Sequence, residues 1–416
     1  MSENDRKKDP FIGQIIFDKF KVIKKVGRGS FGNIYLVVYN NKLYAMKLED
    51  INKEDYFELE KELFLMSHLY GPRIPYVKSF GNYGLYNVLI MEILGKSLED
   101  IKSNLPSKKM SIPCVCKLSY QMLQILEHIH KKSFIHRDIK PDNFVMGLGS
   151  NSKFLFMIDF GFATTYRDPN TLAHVPFQKD VNIIGTPRFS SINTLKGFTQ
   201  SRRDDIESLG YVIIYIAKGT LPWASIKSDN QEGLNNRILE VKSKTTPEKL
   251  CKGLPPQFLE YINYARRMTF EQEPDYKYLR NLFLTALQNY GGKMDYCYDW
   301  DNSINNMNIY LDNTTMDKFM DAERKNTQSN SITNIEKIYN EDNALKACFN
   351  NQVKIAIQNN IYNLDEINES GIDTYSVNSI DNNDTTHLQN RNMTYQNGMP
   401  VINRPFKKEQ DCCSIM

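Results

Sequence analysis

The string His136-Arg137-Asp138-Ile139-Lys140-Pro141-Asp142-Asn143, with Asp159-Phe160-Gly161 beginning sixteen residues after Asn143, restricts this chain more than any other feature it has. Pro141 marks the string as a loop. The apolar run from Phe154 to Ile158 reads as a strand, so Asp159 stands at a strand end. Asn143 and Asp159 then form a pair of hard oxygen ligands, the kind a magnesium–nucleotide complex requires. In such a site Asp138 orients a substrate hydroxyl or accepts its proton, and Lys140 balances charge on a transferring phosphoryl group.

The upstream residues extend this chemistry. Val26-Gly27-Arg28-Gly29-Ser30-Phe31-Gly32-Asn33-Ile34 is a G-x-G-x-x-G string. Glycines let backbone approach phosphate oxygens without a Cβ in the way. A dinucleotide-binding loop is followed by a helix, whereas here a strand follows. Phe20–Val26, Asn33–Val38, Leu43–Leu48 and Tyr86–Met91 are short, β-branched or aromatic, and bounded by Gly or Asn, as strands are. Tyr44-Ala45-Met46-Lys47 therefore ends a strand beneath the glycine loop, where Lys47 is placed to hold the α- and β-phosphates. Its ammonium needs a carboxylate. The helix expected from Glu54 to Leu69 offers Glu58, Glu60 and Glu62; Glu60 is the choice and Glu62 the alternative. Met91-Glu92-Ile93-Leu94-Gly95 would join two lobes, with main-chain groups of Glu92 and Leu94 on adenine and Met91 at the back of the pocket. The nucleotide site so assembled is Val26, Gly27, Gly29, Gly32, Ile34, Ala45, Lys47, Glu60, Met91, Glu92 and Leu94.

Downstream the pattern turns helical. Ile112–His130 puts Val115, Leu118, Met122, Ile125, Leu126 and Ile129 on one face, and Arg203–Ala217 and Gln257–Met268 are further helices. Asp205, near the start of one of them, could brace the catalytic loop; an acid there is equally favoured by the helix dipole. The fold class is α+β: a β-rich N-terminal lobe and a helical C-terminal lobe. The expected boundaries are an N-terminal extension over 1–16, one domain over 17–300, and a tail over 301–416. In that tail Asn recurs at about one residue in five, a polar bias that cannot bury enough apolar area to fold, so it is expected to be disordered. Only Leu345–Leu364 is apolar enough for a transient helix or docking segment.

Charge and cysteines set the remaining limits. A formal charge of +3 over 416 residues argues against nucleic-acid binding through a global basic face. Seven scattered cysteines, with no paired metal spacing, fit a reduced intracellular compartment. Met1–Pro10 is too polar for a secretory signal, and Ser2 excludes N-myristoylation. No apolar run is long enough to span a membrane.

These residues resemble the casein kinase I family of serine/threonine protein kinases, over about Phe17 to Trp300. Leu94-Gly95-Lys96-Ser97-Leu98-Glu99-Asp100, Lys140-Pro141-Asp142-Asn143-Phe144, Ser190-Ser191-Ile192-Asn193, Ser201-Arg202-Arg203-Asp204-Asp205 and Leu221-Pro222-Trp223 carry the resemblance. It implies a bilobal, usually monomeric enzyme that uses ATP and magnesium. It further implies activity without activation-loop phosphorylation, on protein Ser/Thr preceded by acidic or phosphorylated residues. Arg188 matches a family arginine that contacts substrate phosphate. Thr164, Val181 and Leu234 stand where the family has lysines, which weakens the expected preference for phosphate-primed substrates. A pseudokinase scaffold would lack one of Lys47, Asp138, Asn143 or Asp159. A small-molecule phosphotransferase would lack the Ser-Ile-Asn and Leu-Pro-Trp strings.

The end of the chain, Cys413-Ser414-Ile415-Met416, fits C-a-a-X, with Met favouring farnesyl. One lipid gives only marginal membrane binding, so a second signal is expected. Cys412 is the candidate for palmitoylation, and Arg404, Lys407 and Lys408 add a weak basic patch. The expectation is a cytoplasmic enzyme held peripherally on a membrane, the plasma membrane by preference.

Overall fold

The computed structural model describes residues 9–28, 32–52, 58–301, 394–396 and 399–401. The chain divides into two units, Met1–Asn334 and Ile335–Met416. The tail segment Leu345–Leu364 and the terminal Cys412 and Cys413 lie outside the described residues, as does Gly29. In the second unit, strands Thr394–Gln396 and Met399–Val401 pair antiparallel.

The first unit opens with an antiparallel sheet in the order β1-β2-β3-β4-β6-β5. Its strands are β1 (Ile15–Ile16), β2 (Phe20–Arg28), β3 (Asn33–Tyr39), β4 (Lys42–Asp50), β5 (Val77–Tyr83) and β6 (Tyr86–Glu92). Alternation sorts its side chains by face. Phe20, Val22, Tyr35, Val37, Tyr44, Met46, Leu48, Val88 and Ile90 make one apolar core. Phe11 and Ile16 belong to that core as well, and Tyr35 donates to Asp9 Oδ2 at 3.0 Å. The segment expected as an extension over 1–16 thus packs into the sheet from Asp9 onward. On the opposite face the register aligns Gly27 with Ile34, Ile34 with Lys47, Ala45 with Met91, and Lys47 with Leu89.

Helix α1 (Glu58–His68) lies between β4 and β5. It buries Leu59, Glu62, Leu63 and Met66, the i, i+3, i+4, i+7 stripe of one helical face. Beyond Gly95 the fold is mainly helical. Helix α2 (Leu98–Asn104) starts at a capping box formed by Ser97 and Asp100. Helix α3 (Ile112–Lys131) buries the stripe Val115, Leu118, Met122, Ile125, Leu126 and Ile129. Short strands follow: β7 (Phe134–Ile135), β8 (Phe144–Met146), β9 (Leu155–Met157) and β10 (Thr164–Thr165), with β8 paired to β9 and β10 to β7. The rest is α4 (Ile192–Leu195), α5 (Arg202–Lys218), α6 (Gln231–Lys244), α7 (Pro247–Cys251), α8 (Pro256–Arg267) and α9 (Tyr276–Asn289). Helix α5 is buried along almost its whole length and ends at Gly219, whose φ of 83° supplies the left-handed cap. Tyr298 and Trp300 are buried and stacked with ring centroids 4.8 Å apart, and Tyr298 donates to Lys153 O. Tyr298 and Trp300, beyond the last of these helices, thus pack into the same unit. Among the described residues, no helix is long and apolar enough to cross a membrane.

Candidate active site

The nucleotide face of the sheet is set by strand register. Directly opposed residues of antiparallel strands share a face, so Ile34, Ala45, Lys47 and Met91 lie on one side. Ile34, Ala45 and Met91 remain partly exposed, and Lys47 is buried. A Cβ placed on Gly27, on the same face, would meet nothing within 4 Å, so this face is open over Gly27. Gly32 is glycine for another reason: a Cβ there would collide with the Leu48 carbonyl.

Lys47 forms a buried ion pair with Glu62. This corrects the choice of Glu60, and the cause is helix phase. Glu62 shares the inward stripe with Leu59, Leu63 and Met66, whereas Glu60 lies about 100° round the helix from that stripe and is half-buried. Burial pushes the Glu60 carboxyl up. Burial opposes the charge on Lys47 too, but Glu62, Asp159 and Glu49 outweigh it and hold its pKa above the ordinary lysine value. Two further contacts hold α1 inward. Buried Glu49 accepts from Leu59 N at 3.1 Å, at the start of the helix, and from Asn87 Nδ2 at 3.0 Å. Lys61 Nζ donates to Gly161 O at 2.9 Å, tying α1 to the Asp159-Phe160-Gly161 segment.

The catalytic loop lies between β7 and β8. Asp205, the second acid of α5, accepts from His136 N at 2.8 Å and from Arg137 N at 3.0 Å, while His130 Nε2 lies 2.9 Å from it. Burial works against its charge, but His130, His136 and these bonds keep its pKa below the usual carboxylate value. Asp205 thus braces the loop, and does so from a helix start. Arg137 takes a φ of 67°, a conformation that needs such external support.

Asp138 is buried, and each of its carboxylate oxygens has an assigned donor. Lys140 Nζ donates to Oδ2 at 2.6 Å. Thr186 donates to Oδ1 twice, from its hydroxyl at 2.7 Å and its backbone N–H at 2.9 Å. Burial raises the Asp138 pKa, but Lys140, Thr186 and His136 more than offset that, and it lies below the ordinary aspartate value. Asn143 Nδ2 donates to Asp138 O at 2.9 Å, which leaves its carbonyl oxygen as the atom suited to a metal. The β8–β9 pairing, continued by Ile158 N donating to Asn143 O, brings Asn143 beside Asp159. Among the described residues, no group of three or more His, Cys, Asp or Glu could hold a metal by itself. One carboxylate and one carboxamide suit magnesium, which takes its other ligands from phosphate and water.

The hinge residues run from the end of β6, which holds Met91 and Glu92, towards α2. Glu92 N donates to Tyr76 O, Gly95 N donates to Met146 O, and Leu94 packs with Val145 and Phe156. Arg188 is exposed, and its own carbonyl is held by Trp223 Nε1 at 2.7 Å. Thr164, Val181 and Leu234 are all partly buried. In the Ser-Ile-Asn string, Ser191 caps α4, its hydroxyl donates to Asp204 Oδ1 at 2.5 Å, and Ile192 N donates to Glu207. Thr186, Glu49 and Lys61 were not singled out by sequence. Their roles rest on partners 48, 10 and 100 residues away, and no local pattern marks them.

A β-rich lobe whose strand lysine is paired to a helix glutamate and acted on by Asp159, with a helical part that carries a braced loop aspartate and a metal-suited Asn–Asp pair, defines a phosphotransferase. The family model of the protein kinase domain matches residues 20–279, and the chain belongs to that family. It is accordingly a protein kinase, using ATP on protein substrates.

Proposed function

We propose that this chain is a serine/threonine kinase of the casein kinase I kind, acting with magnesium on acidic or phosphorylated proteins. The observation that carries the reading is the seat of Asp138. Thr186, which holds one of its oxygens, also begins the turn over residues 186–190. A peptide resting on that turn would bring its acceptor hydroxyl toward Asp138, and the Ser-Ile-Asn and Leu-Pro-Trp strings support serine and threonine as the acceptors.

The residues then divide the work. Lys47, kept charged by Glu62, binds the α- and β-phosphates of ATP. Asn143 and Asp159 would hold magnesium, which neutralises phosphate charge and keeps the transferring group aligned. Asp138 is ionised and weakly basic, so it chiefly orients the substrate hydroxyl and takes its proton late, as the new O–P bond forms. Lys140 stabilises the charge that develops beside it. Backbone of Glu92 and Leu94 would take adenine, between Val26, Ile34 and Ala45 above and Met91 behind.

Arg188 is the cation offered to a phosphate on the substrate. With Thr164, Val181 and Leu234 in place of lysines, priming has a modest effect. The enzyme is a monomer, cytoplasmic, and held on the plasma membrane by a prenyl group on Cys413 and palmitate on Cys412. The test is a peptide array with Ser, Thr or Tyr as acceptor and with acidic or phosphorylated residues upstream. Expected are transfer to Ser and Thr, a modest gain from phosphoserine, and loss of that gain in Arg188→Ala. Transfer confined to Tyr would overturn the reading. Fractionation of cells expressing Cys413→Ser tests the anchor, which falls if the native chain is soluble.

A further inference from the structure

Lys242, in the last turn of α6, is fully buried, yet it touches neither the nucleotide face nor Asp138. Its Nζ donates to three backbone carbonyls: Pro187 O at 3.1 Å, Arg188 O at 3.3 Å and Ser190 O at 2.5 Å. It also lies 4.6 Å from the Tyr211 ring centre and 4.8 Å from that of Trp223. The charged groups around it are Glu207 on α5 and Arg266 on α8. Burial pulls the Lys242 pKa down to about 7, with Glu207 opposing and Arg266 adding to the fall.

An enclosed ammonium is a poor way to stabilise a core, because apolar residues of similar volume often do at least as well. What the ammonium supplies is direction. The three carbonyls belong to one turn, and turning them inward presents the other side of that turn to solvent. Trp223 Nε1 adds a fourth inward bond, again to Arg188 O. The Arg188 side chain is left exposed on the outer side. The turn is closed locally by Phe189 N and Ser190 N donating to Thr186 O, and Thr186 in turn holds Asp138.

We propose that Lys242 is a positioning residue for the protein substrate: by gathering the carbonyls of residues 187–190 it shapes the surface on which the acceptor peptide lies and aims Arg188. This rests on the reading that the turn faces the peptide. Lys242 therefore governs peptide affinity and leaves ATP affinity alone.

The test uses the full chain, an unphosphorylated acidic serine peptide, and the variants Lys242→Met, Lys242→Gln and Lys242→Arg. Lys242→Met is expected to raise peptide KM roughly tenfold, the scale of one lost charge-assisted hydrogen bond. ATP KM stays unchanged. Lys242→Gln, which keeps one donor group, falls between, and Lys242→Arg restores most of the affinity. Hydrogen exchange at Phe189 N–H and Ser190 N–H is expected to quicken in Lys242→Met. Unchanged peptide KM, or an equal rise in ATP KM, overturns the proposal. If Lys242→Met does not fold, Lys242→Gln carries the same comparison. If the parent enzyme phosphorylates no serine peptide, the functional reading falls, and exchange at the two turn amides decides whether Lys242 orders the turn.

Discussion

Replacing Glu62 by Gln removes the carboxylate that balances Lys47 while keeping the side chain's shape. Both partners are buried, so water cannot compensate for the loss. Asp159 and Glu49 still act on Lys47, so the ammonium keeps part of its charge balance but loses the ion pair with Glu62. One charge-assisted hydrogen bond corresponds to about 1.5–3 kcal/mol, or roughly ten- to a hundredfold in kcat/KM for ATP. Glu60→Gln is the control. Its side chain is half-buried and turned away from Lys47, and removing its charge relieves a group that burial already disfavours. Its effect is expected to stay within about twofold. Steady-state kinetics with varied ATP and saturating peptide, on variants shown by melting to be folded, compares the two. If Glu60→Gln lowers kcat/KM as much as Glu62→Gln, the account of the ion pair is wrong.

Lys61→Met removes the bond from α1 to Gly161 and is expected to lower kcat by roughly three- to tenfold, with Lys61→Arg recovering part of it; unchanged kcat in Lys61→Met contradicts the tie. Asp204 is buried, and burial raises its pKa to about 7, against the opposing pull of Ser191, Arg203 and Ser201 N. The folded state therefore keeps a proton that the unfolded chain gives up near the ordinary aspartate value. Asp204 thus makes stability fall as pH rises from about 4 to about 7. Melting curves across that range should show a shallower fall for Asp204→Asn than for the parent, and equal slopes would refute the assignment.

What the sequence made legible was contiguous. The His136–Asn143 string, the glycine string and the lysine at a strand end each carry their chemistry within a few residues. Strands β2, β3, β4 and β6 followed from their β-branched and aromatic content, and helices α3, α5 and α8 from the helical pattern, to within a few residues at each end. The partner of Lys47 was not legible, because Glu58, Glu60 and Glu62 alternate along one helix. Which of them faces the sheet depends on how α1 docks, and contacts of the helix with Glu49 on β4 and with the Gly161 carbonyl help to fix that. Within the expected extension over 1–16, no periodicity marks Asp9–Ile16 as part of the sheet's core. Its place in the core comes from Phe11 packing beside Tyr35 and Tyr86. Thr186 and Lys242 are of the same kind, ordinary residues in the sequence whose roles arise from the groups they meet in the fold.

Phosphoryl transfer itself is tested most directly by Asp138→Asn, assayed with radiolabelled ATP, magnesium and an acidic serine peptide. The variant keeps the shape of the side chain but cannot take up the hydroxyl proton. Expected are a folded protein with near-normal ATP binding and turnover reduced by roughly 10²–10⁴-fold. Turnover close to that of the parent enzyme would contradict the assignment of Asp138.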